Sequence, residues 1–444
     1  MDSNGCRRSF EQESAMTQAP AKKSLMAPFQ TDALQLFLFS NTVLPSGQTI
    51  AESQHTYSTA AALSDEIQLS MSNAFPHVLM GSSFIDRGLE HMGQSDFIVL
   101  FICSDLRGKI SERDLSVHRS LLNAGSILKQ IAVPLHGVWG LMNAYTVGCM
   151  VPALNMNTCQ HLATRIHHEL ADLQSETVSI GISVYPMADF NRLDTVMNAW
   201  KALNHASMKG SGSTVVFNAT SLNISGDTLY QAGDIPGAIL EFQKALQLEP
   251  SNANIHNSLG VCYGVMERYD DAETEYAEAL ALNPDDVMAL YNIGILRLMT
   301  GQRDDALAYF EKAALLNDNI FEIAFQTGKL YYEFGHPEKA HPLLKKALGF
   351  HPNSGTVIRT LAACLLDLDL LHEAIALYTR AVKINPQDAE SFSLLGELYD
   401  RIGENLEIAI LFCQQSVAIS PENNVYRKRL ERLLKNNSRQ EISL

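Results

Sequence analysis

The sequence predicts two unlike parts: an α+β domain in the first half and an all-α solenoid of paired helices in the second. Two observations carry this division. Ala238, Ala272, Ala306, Ala340 and Ala374 stand 34 residues apart, and Ala245, Ala279, Ala313, Ala347 and Ala381 keep the same step. A fixed period of this length marks stacked supersecondary units, each unable to bury its apolar face alone. Upstream of residue 218 there is no such period. Short apolar runs of strand length alternate there with helix-period segments, and one pair of runs is close enough to form a hairpin.

Within the periodic half, Gly226, Gly260, Gly294, Gly328 and Gly396 fall on the same frame, with Ala362 in the remaining slot. Small residues at these places let two antiparallel helices approach, where a large side chain would hold them apart. Pro250, Pro284, Pro352 and Pro386 close their units, because proline lacks an N–H and disfavours a helical residue before it. Asp318 replaces one of these prolines, and the last unit (Ala409, Ser416, Pro421) is shifted by one residue. Leu259, Tyr263, Tyr276, Phe310, Tyr331 and Tyr378 are the large fillers between layers. This pattern closely resembles the tetratricopeptide repeat family, with six repeats over 219–422. The segment 423–444 then reads as a capping helix with Leu430, Leu433 and Leu434 on one stripe and basic residues on the rest.

The resemblance implies a concave groove lined by the first helix of each repeat, through its second, fifth, ninth and twelfth positions. Those positions hold Met288, Tyr291, Ile295 and Leu298, then Glu322, Phe325, Lys329 and Tyr332. They continue with Thr356, Arg359, Ala363 and Leu366, and end with Glu390, Ser393, Glu397 and Asp400. The expected partner-binding residues are Met288, Tyr291, Ile295, Phe325, Lys329, Tyr332 and Arg359: an apolar, aromatic centre beside two cations, with an acidic C-terminal end. Aromatic and arginine anchors are what peptide-binding hot spots use. The alternative for any one of them is packing between repeats or against the tail helix. Members that clamp a chaperone's terminal carboxylate use Lys, Asn and Arg at the fifth and ninth positions. Here those places hold Asn223 with Asp227, Asn257 with Val261, and Tyr291 with Ile295, so that clamp is not expected.

In the first half, residues 1–30 read as a disordered tail and 31–73 as a lead-in segment, partly helical over 58–72. Residues 74–218 read as an α+β sandwich around a mostly antiparallel sheet. Helices are expected over 81–92, about 111–130, 155–173 and 191–208. Strands are expected over 97–103, 177–185 and 213–217, with hairpin arms at 131–138 and 144–151.

Several strings here resemble the GGDEF domain of the diguanylate cyclase family. Residues 177–186, TVSIGISVYP, match its central strand. Ala199, Ala202, Leu203, Ala206 and Gly210, followed by a strand to Phe217, match its closing segment. Phe84, Arg87 and Leu89 match its opening helix. The resemblance implies a nucleotidyl-cyclase-like sandwich. It also implies carboxylates on two neighbouring turns, holding divalent cations against triphosphate oxygens. The first turn reads Cys103-Ser104-Asp105-Leu106-Arg107-Gly108, which keeps only Asp105. The hairpin slot reads Asn143-Ala144-Tyr145-Thr146-Val147, with neither the glycine pair nor an acid. The inhibitory-site slot at 134–137 reads Pro-Leu-His-Gly, and from Gln130 to Gln160 there is no Asp, Glu, Lys or Arg. The expectation is a catalytically inactive module serving for docking, dimerisation or sensing. The alternative is a divergent cyclase using Asp105 and controlled by the repeats.

Composition narrows the remaining classes. The 444 residues carry a net charge of −16 with 46% apolar and 18% charged residues, which excludes a wholly disordered chain. Residues 219–444 own −12 of that charge. The acidic balance opposes whole-chain binding to nucleic acid or an anionic membrane. Seven scattered cysteines without a CxxC pair suit a reducing compartment. No apolar stretch has signal-peptide or membrane-spanning form, so the expectation is a cytoplasmic protein. Cys159, His161, His167 and His168 share a helix, with His161 and His168 expected on its solvated side; neither metal nor cofactor is expected. Asp105 to Lys109 reads as a turn, and His136 and Trp139 as the edge of a pocket or interface. The functional expectation is a non-enzymatic adaptor that binds a protein or peptide partner in the groove, with a homodimer through the first domain as a further partner expectation.

Overall fold

The computed structural model describes residues 65–105, 115–152, 156–173, 177–403 and 405–443. The tail at 1–30, most of the lead-in segment and residues 106–109 lie outside them.

The first domain is a mixed six-stranded sheet of β1 (Leu79–Met80), β2 (Phe97–Ser104), β3 (Val138–Asn143), β4 (Thr146–Pro152), β5 (Val178–Tyr185) and β6 (Thr214–Val216), in the order β1-β3-β4-β2-β5-β6. The inner pairs β3–β4, β4–β2 and β2–β5 are antiparallel, while the edge pairs β1–β3 and β5–β6 are parallel. Helices α1 (Asp65–Ala74), α2 (Ser82–Met92), α3 (Leu115–Ala132), α4 (Met156–Leu173) and α5 (Arg192–Lys209) cover both faces. Alternation along β2 sorts the core. Ile98, Leu100 and Ile102 meet α1, α3 and α4, while Phe97, Val99, Phe101 and Cys103 meet α2 and α5. With both faces covered, every residue of β2 is buried, which is why it reads as one unbroken apolar run.

The first hairpin arm expected at 131–138 is corrected. Ile131 and Ala132 complete the buried stripe of α3 instead. Pro134 follows the helix, His136 takes a left-handed φ of 53°, and Gly137 N closes the helix end on Ala132 O at 2.8 Å. The strand starts only at Val138. Of the lead-in helix expected over 58–72, residues 58–64 lie outside the described residues and Asp65–Ala74 is helical; the two-residue β1 has no counterpart in the sequence reading.

The second part is a run of helix pairs: α6 (Ala219–Gln231) with α7 (Ile235–Leu248), α8 (Ala253–Val265) with α9 (Tyr269–Leu282), α10 (Val287–Met299) with α11 (Arg303–Leu316), α12 (Phe321–Glu333) with α13 (Pro337–Phe350), α14 (Gly355–Asp367) with α15 (Leu371–Ile384), and α16 (Ala389–Ile402) with α17 (Leu406–Ile419). Three of the repeated glycines face an aromatic of the paired helix: a Cβ on Gly260 would lie 2.6 Å from the Tyr276 ring, and Gly226 and Gly294 meet Phe242 and Phe310 the same way, while Gly328 meets Leu344 and Gly396 meets Cys413. Asn218, Asn252, Asp286, Ser354 and Asp388 cap the first helices by accepting from backbone N–H groups. The one-residue shift of the last unit lies in its turn, where Gly403 and Asn405 both take left-handed φ and Asn405 caps α17. The final helix α18 (Asn424–Ser443) packs on α17 and α16 through Leu433 and Leu430.

No linker separates the two parts, since β6 ends at Val216 and α6 begins at Ala219. Helix α5 is buried on most sides: Val196, Ala199, Trp200 and Leu203 face the sheet, and α6 packs along it. Gly181 on β5 permits the close seat on the sheet, because a Cβ there would overlap the backbone of Ala199 and Leu203. Helix α5 thus occupies the place of a capping helix at the open end of the array.

Candidate functional site

The first helices of successive repeats approach one another (α6 with α8, α8 with α10, α12 with α14), and the final helix α18 continues the row beside α16, so they form the inner layer. Asn292 Nδ2 donates to Asn257 Oδ1 at 2.9 Å inside that layer, tying α8 to α10. The expected groove residues divide into two groups. Tyr291 and Ile295 are only 1% and 2% exposed. Tyr291 packs on Phe310 with ring centroids 5.4 Å apart, and burial raises its phenol pKa, with Glu322 adding to the shift. These two side chains are buried between helices and present no surface to a partner, which corrects their place in the groove.

Met288, Phe325, Lys329, Tyr332 and Arg359 are half-buried and retain surface. Phe321, one turn before Phe325, stacks on it with centroids 5.9 Å apart and planes 1° from parallel, and His351 meets Phe321 edge-on at 4.2 Å. Phe321 and His351 were not expected at the site; the signal for Phe321 is the (i, i+4) aromatic pair on α12. Lys329 Nζ lies 4.0 Å from Glu333 Oε1, and Glu333 also holds Arg303. Burial, then the neighbouring Arg303, lowers the Lys329 pKa. Arg359 Nη1 lies 3.5 Å from Asp388 Oδ2. Burial, then Asp367, raises the Tyr332 pKa, and its hydroxyl is hydrogen-bonded to the Asp367 carboxylate. The patch therefore offers an aromatic ledge and two cations.

The acidic C-terminal end read from the sequence is partly covered. Arg429 of α18 pairs with Glu397 and reaches Ser393 Oγ, and Arg432 Nη2 lies 3.2 Å from Asp400 Oδ2.

In the first domain, the turn after β2 and the β3–β4 turn are adjacent: Ser104 N donates to Tyr145 O at 3.1 Å. The 143–147 slot falls at the β3–β4 turn, where Tyr145 N donates to Asn143 Oδ1 at 3.0 Å. Asp105 is engaged elsewhere. Its carboxylate accepts from Thr177 Oγ1 and Ser179 Oγ, each at 2.6 Å, and from Gly212 N at 2.8 Å. These bonds clamp the start of β5 to the loop before β6.

On α4, Cys159 is in the core and His161 and His168 are exposed, but His167 turns inward and its Nε2 lies 2.9 Å from Thr214 Oγ1 of β6. Among the described residues no group of His, Cys, Asp or Glu is placed to hold a metal ion. Trp139 packs edge-on against Phe75 at 5.0 Å, beneath the end of α1, while His136 lies in the turn after α3 and its carbonyl pairs with His91 Nε2. Among the described residues no helix is long and apolar enough to cross a membrane.

Comparison with known families matches a TPR repeat model at residues 226–264 and tetratricopeptide repeat models at 251–314 and 331–399. Curated proteins give no match. Among solved structures, YrrB, a TPR protein with an unusual peptide-binding site, is 20% identical over 42% of this chain and 96% of its own, with a TM-score of 0.41. PilF of Pseudomonas aeruginosa is 21% identical over 47% of this chain and 95% of its own, with a TM-score of 0.41. MamA is 22% identical over 37% and 96%, with a TM-score of 0.33. The helical array of this chain is built of tetratricopeptide repeats.

Proposed function

We propose that the protein is a non-enzymatic adaptor that binds a protein or peptide partner on the inner layer of its repeats. The observation that carries this reading is the patch of Met288, Phe325, Lys329, Tyr332 and Arg359, extended by Phe321, which combines aromatic surface with half-buried cations. Such a patch suits a segment with an apolar anchor beside an acidic or carbonyl-rich flank. The first domain, in this reading, is a GGDEF-like module without cyclase chemistry. The engagement of the Asp105 carboxylate by three donors and the acid-free hairpin turn support it, since together they supply no second carboxylate for a cation.

The test is affinity capture with the full chain and with a Phe325→Ala, Arg359→Ala double variant. The partner should be lost from the variant while its circular dichroism and melting curve keep their form. Capture at wild-type level would remove the groove assignment. In parallel, the purified chain with GTP or ATP and Mg²⁺ or Mn²⁺ should give no turnover; a turnover abolished by Asp105→Ala would restore the divergent-cyclase reading.

A further inference from the structure

Where the sheet domain joins the first repeat, α4, the C-terminal end of α5, β6 and Asn218 border an open cleft of about 440 Å³. This volume is within the range of small-molecule sites, which occur preferentially where domains meet. Its polar lining includes Gln160 and His167 of α4, His205 and Lys209 of α5, Thr214 of β6, and Asn218. The chemistry of that lining is one-sided. It holds one ammonium, two imidazoles, two hydroxyls and two carboxamides, and no carboxylate, in a chain whose net charge is −16.

The two imidazoles are fixed rather than mobile. His167 Nε2 is 2.9 Å from Thr214 Oγ1, and His205 Nδ1 is 3.1 Å from Ser221 Oγ on the first helix of the array. The other ring nitrogen of each has no hydrogen-bond partner among the described residues. Lys209 is exposed and forms no hydrogen bond or ion pair among the described residues. The adaptor reading uses none of these groups.

We propose that this cleft binds a small anion bearing a phosphate or carboxylate group, with Lys209 supplying the permanent charge and His167 and His205 the directional donors. Charge-assisted bonds of this kind are the strong ones. A ligand held there touches α4 and β6 on one side and the start of α6 on the other, so it stiffens the junction between the sheet domain and the repeats. The charged groups around the imidazoles set a pH dependence. Burial lowers the pKa of both; Lys209 lowers that of His205 further, and Asp105 opposes the shift at His167. Both rings are neutral at neutral pH, and an arriving anion favours their protonated forms. Binding takes up protons and tightens as pH falls.

The test is calorimetry on the full chain with inorganic phosphate, AMP and succinate, which separates phosphate from carboxylate recognition. At least one should bind with a Kd of about 1 mM or tighter. Lys209→Gln should weaken it about tenfold without moving the melting temperature. Affinity should rise between about pH 7.5 and about pH 6, and this rise should vanish in a His167→Gln, His205→Gln variant. Absence of heat from all three anions at about 10 mM, or equal binding by wild type and Lys209→Gln, overturns the proposal.

Discussion

Lys201 Nζ lies 2.7 Å from Glu241 Oε2 and 2.9 Å from Oε1, joining α5 of the sheet domain to α7 of the first repeat. The two side chains are 9% and 11% exposed. A lysine on a helix covered on most sides is tolerable only with such a counter-charge, because desolvation would otherwise cost several kcal/mol. The pair therefore depends on the two parts being docked.

Removing one partner leaves the other buried and charged. Lys201→Met or Glu241→Met alone should lower stability by about 3–5 kcal/mol, while the double Met variant should recover most of the loss. Urea unfolding of the full chain measures all three. Single variants as stable as wild type would show that the two parts separate freely.

Asp105 gives a second stability prediction. Asp105→Ala leaves the buried Ser179 hydroxyl without its acceptor, while the exposed Thr177 hydroxyl and Gly212 N–H turn to water, and should cost about 1–2 kcal/mol. Asp105→Asn keeps one acceptor and should lose less. Faster hydrogen exchange at Gly212 in Asp105→Ala would locate the effect at the loop before β6.

His167 and His205 make stability depend on pH. Both pKa values lie below the ordinary 6.5 when folded. The unfolded chain therefore takes up protons at higher pH than the folded one. Their contribution is complete above about pH 6.5 and is lost as pH falls through the folded values. The melting temperature should drop on acidification in that window, and the slope should flatten in the His167→Gln, His205→Gln variant.

Tyr291 separates packing from binding. Truncating a buried aromatic costs about 3–5 kcal/mol, so Tyr291→Ala should destabilise the array by that order, measured by urea unfolding. Phe325→Ala, on a side chain that keeps surface, should cost less.

The repeat array was legible because its signals are local and reiterated: a small residue under an aromatic, a capping Asn, Asp or Ser, and a proline at the end. Asp318, the one break in the proline series, is met by Lys346 Nζ at 2.6 Å; at the corresponding place Lys312 and Arg380 reach the carbonyls of Pro284 and Pro352. The strands of the first domain were equally clear where both faces are covered, as in β2. What escaped depends on long-range packing. Ile131–Gly137 is apolar enough for a strand, but helix α3 claims its first two residues. Tyr291 and Ile295 sit at groove positions by counting, yet both are buried, Tyr291 against Phe310 of α11. The Lys201–Glu241 and His205–Ser221 contacts join residues 40 and 16 positions apart across the junction, which no periodicity encodes.

The central claim, partner binding on the inner layer of the repeats, is tested most directly by site-specific photocrosslinking. A photoreactive residue at Phe325 is compared with one at Leu315, which is 87% exposed on α11. The account predicts a single partner adduct at 325 and none at 315. Adducts at 315 alone, or equally at both positions, would contradict it.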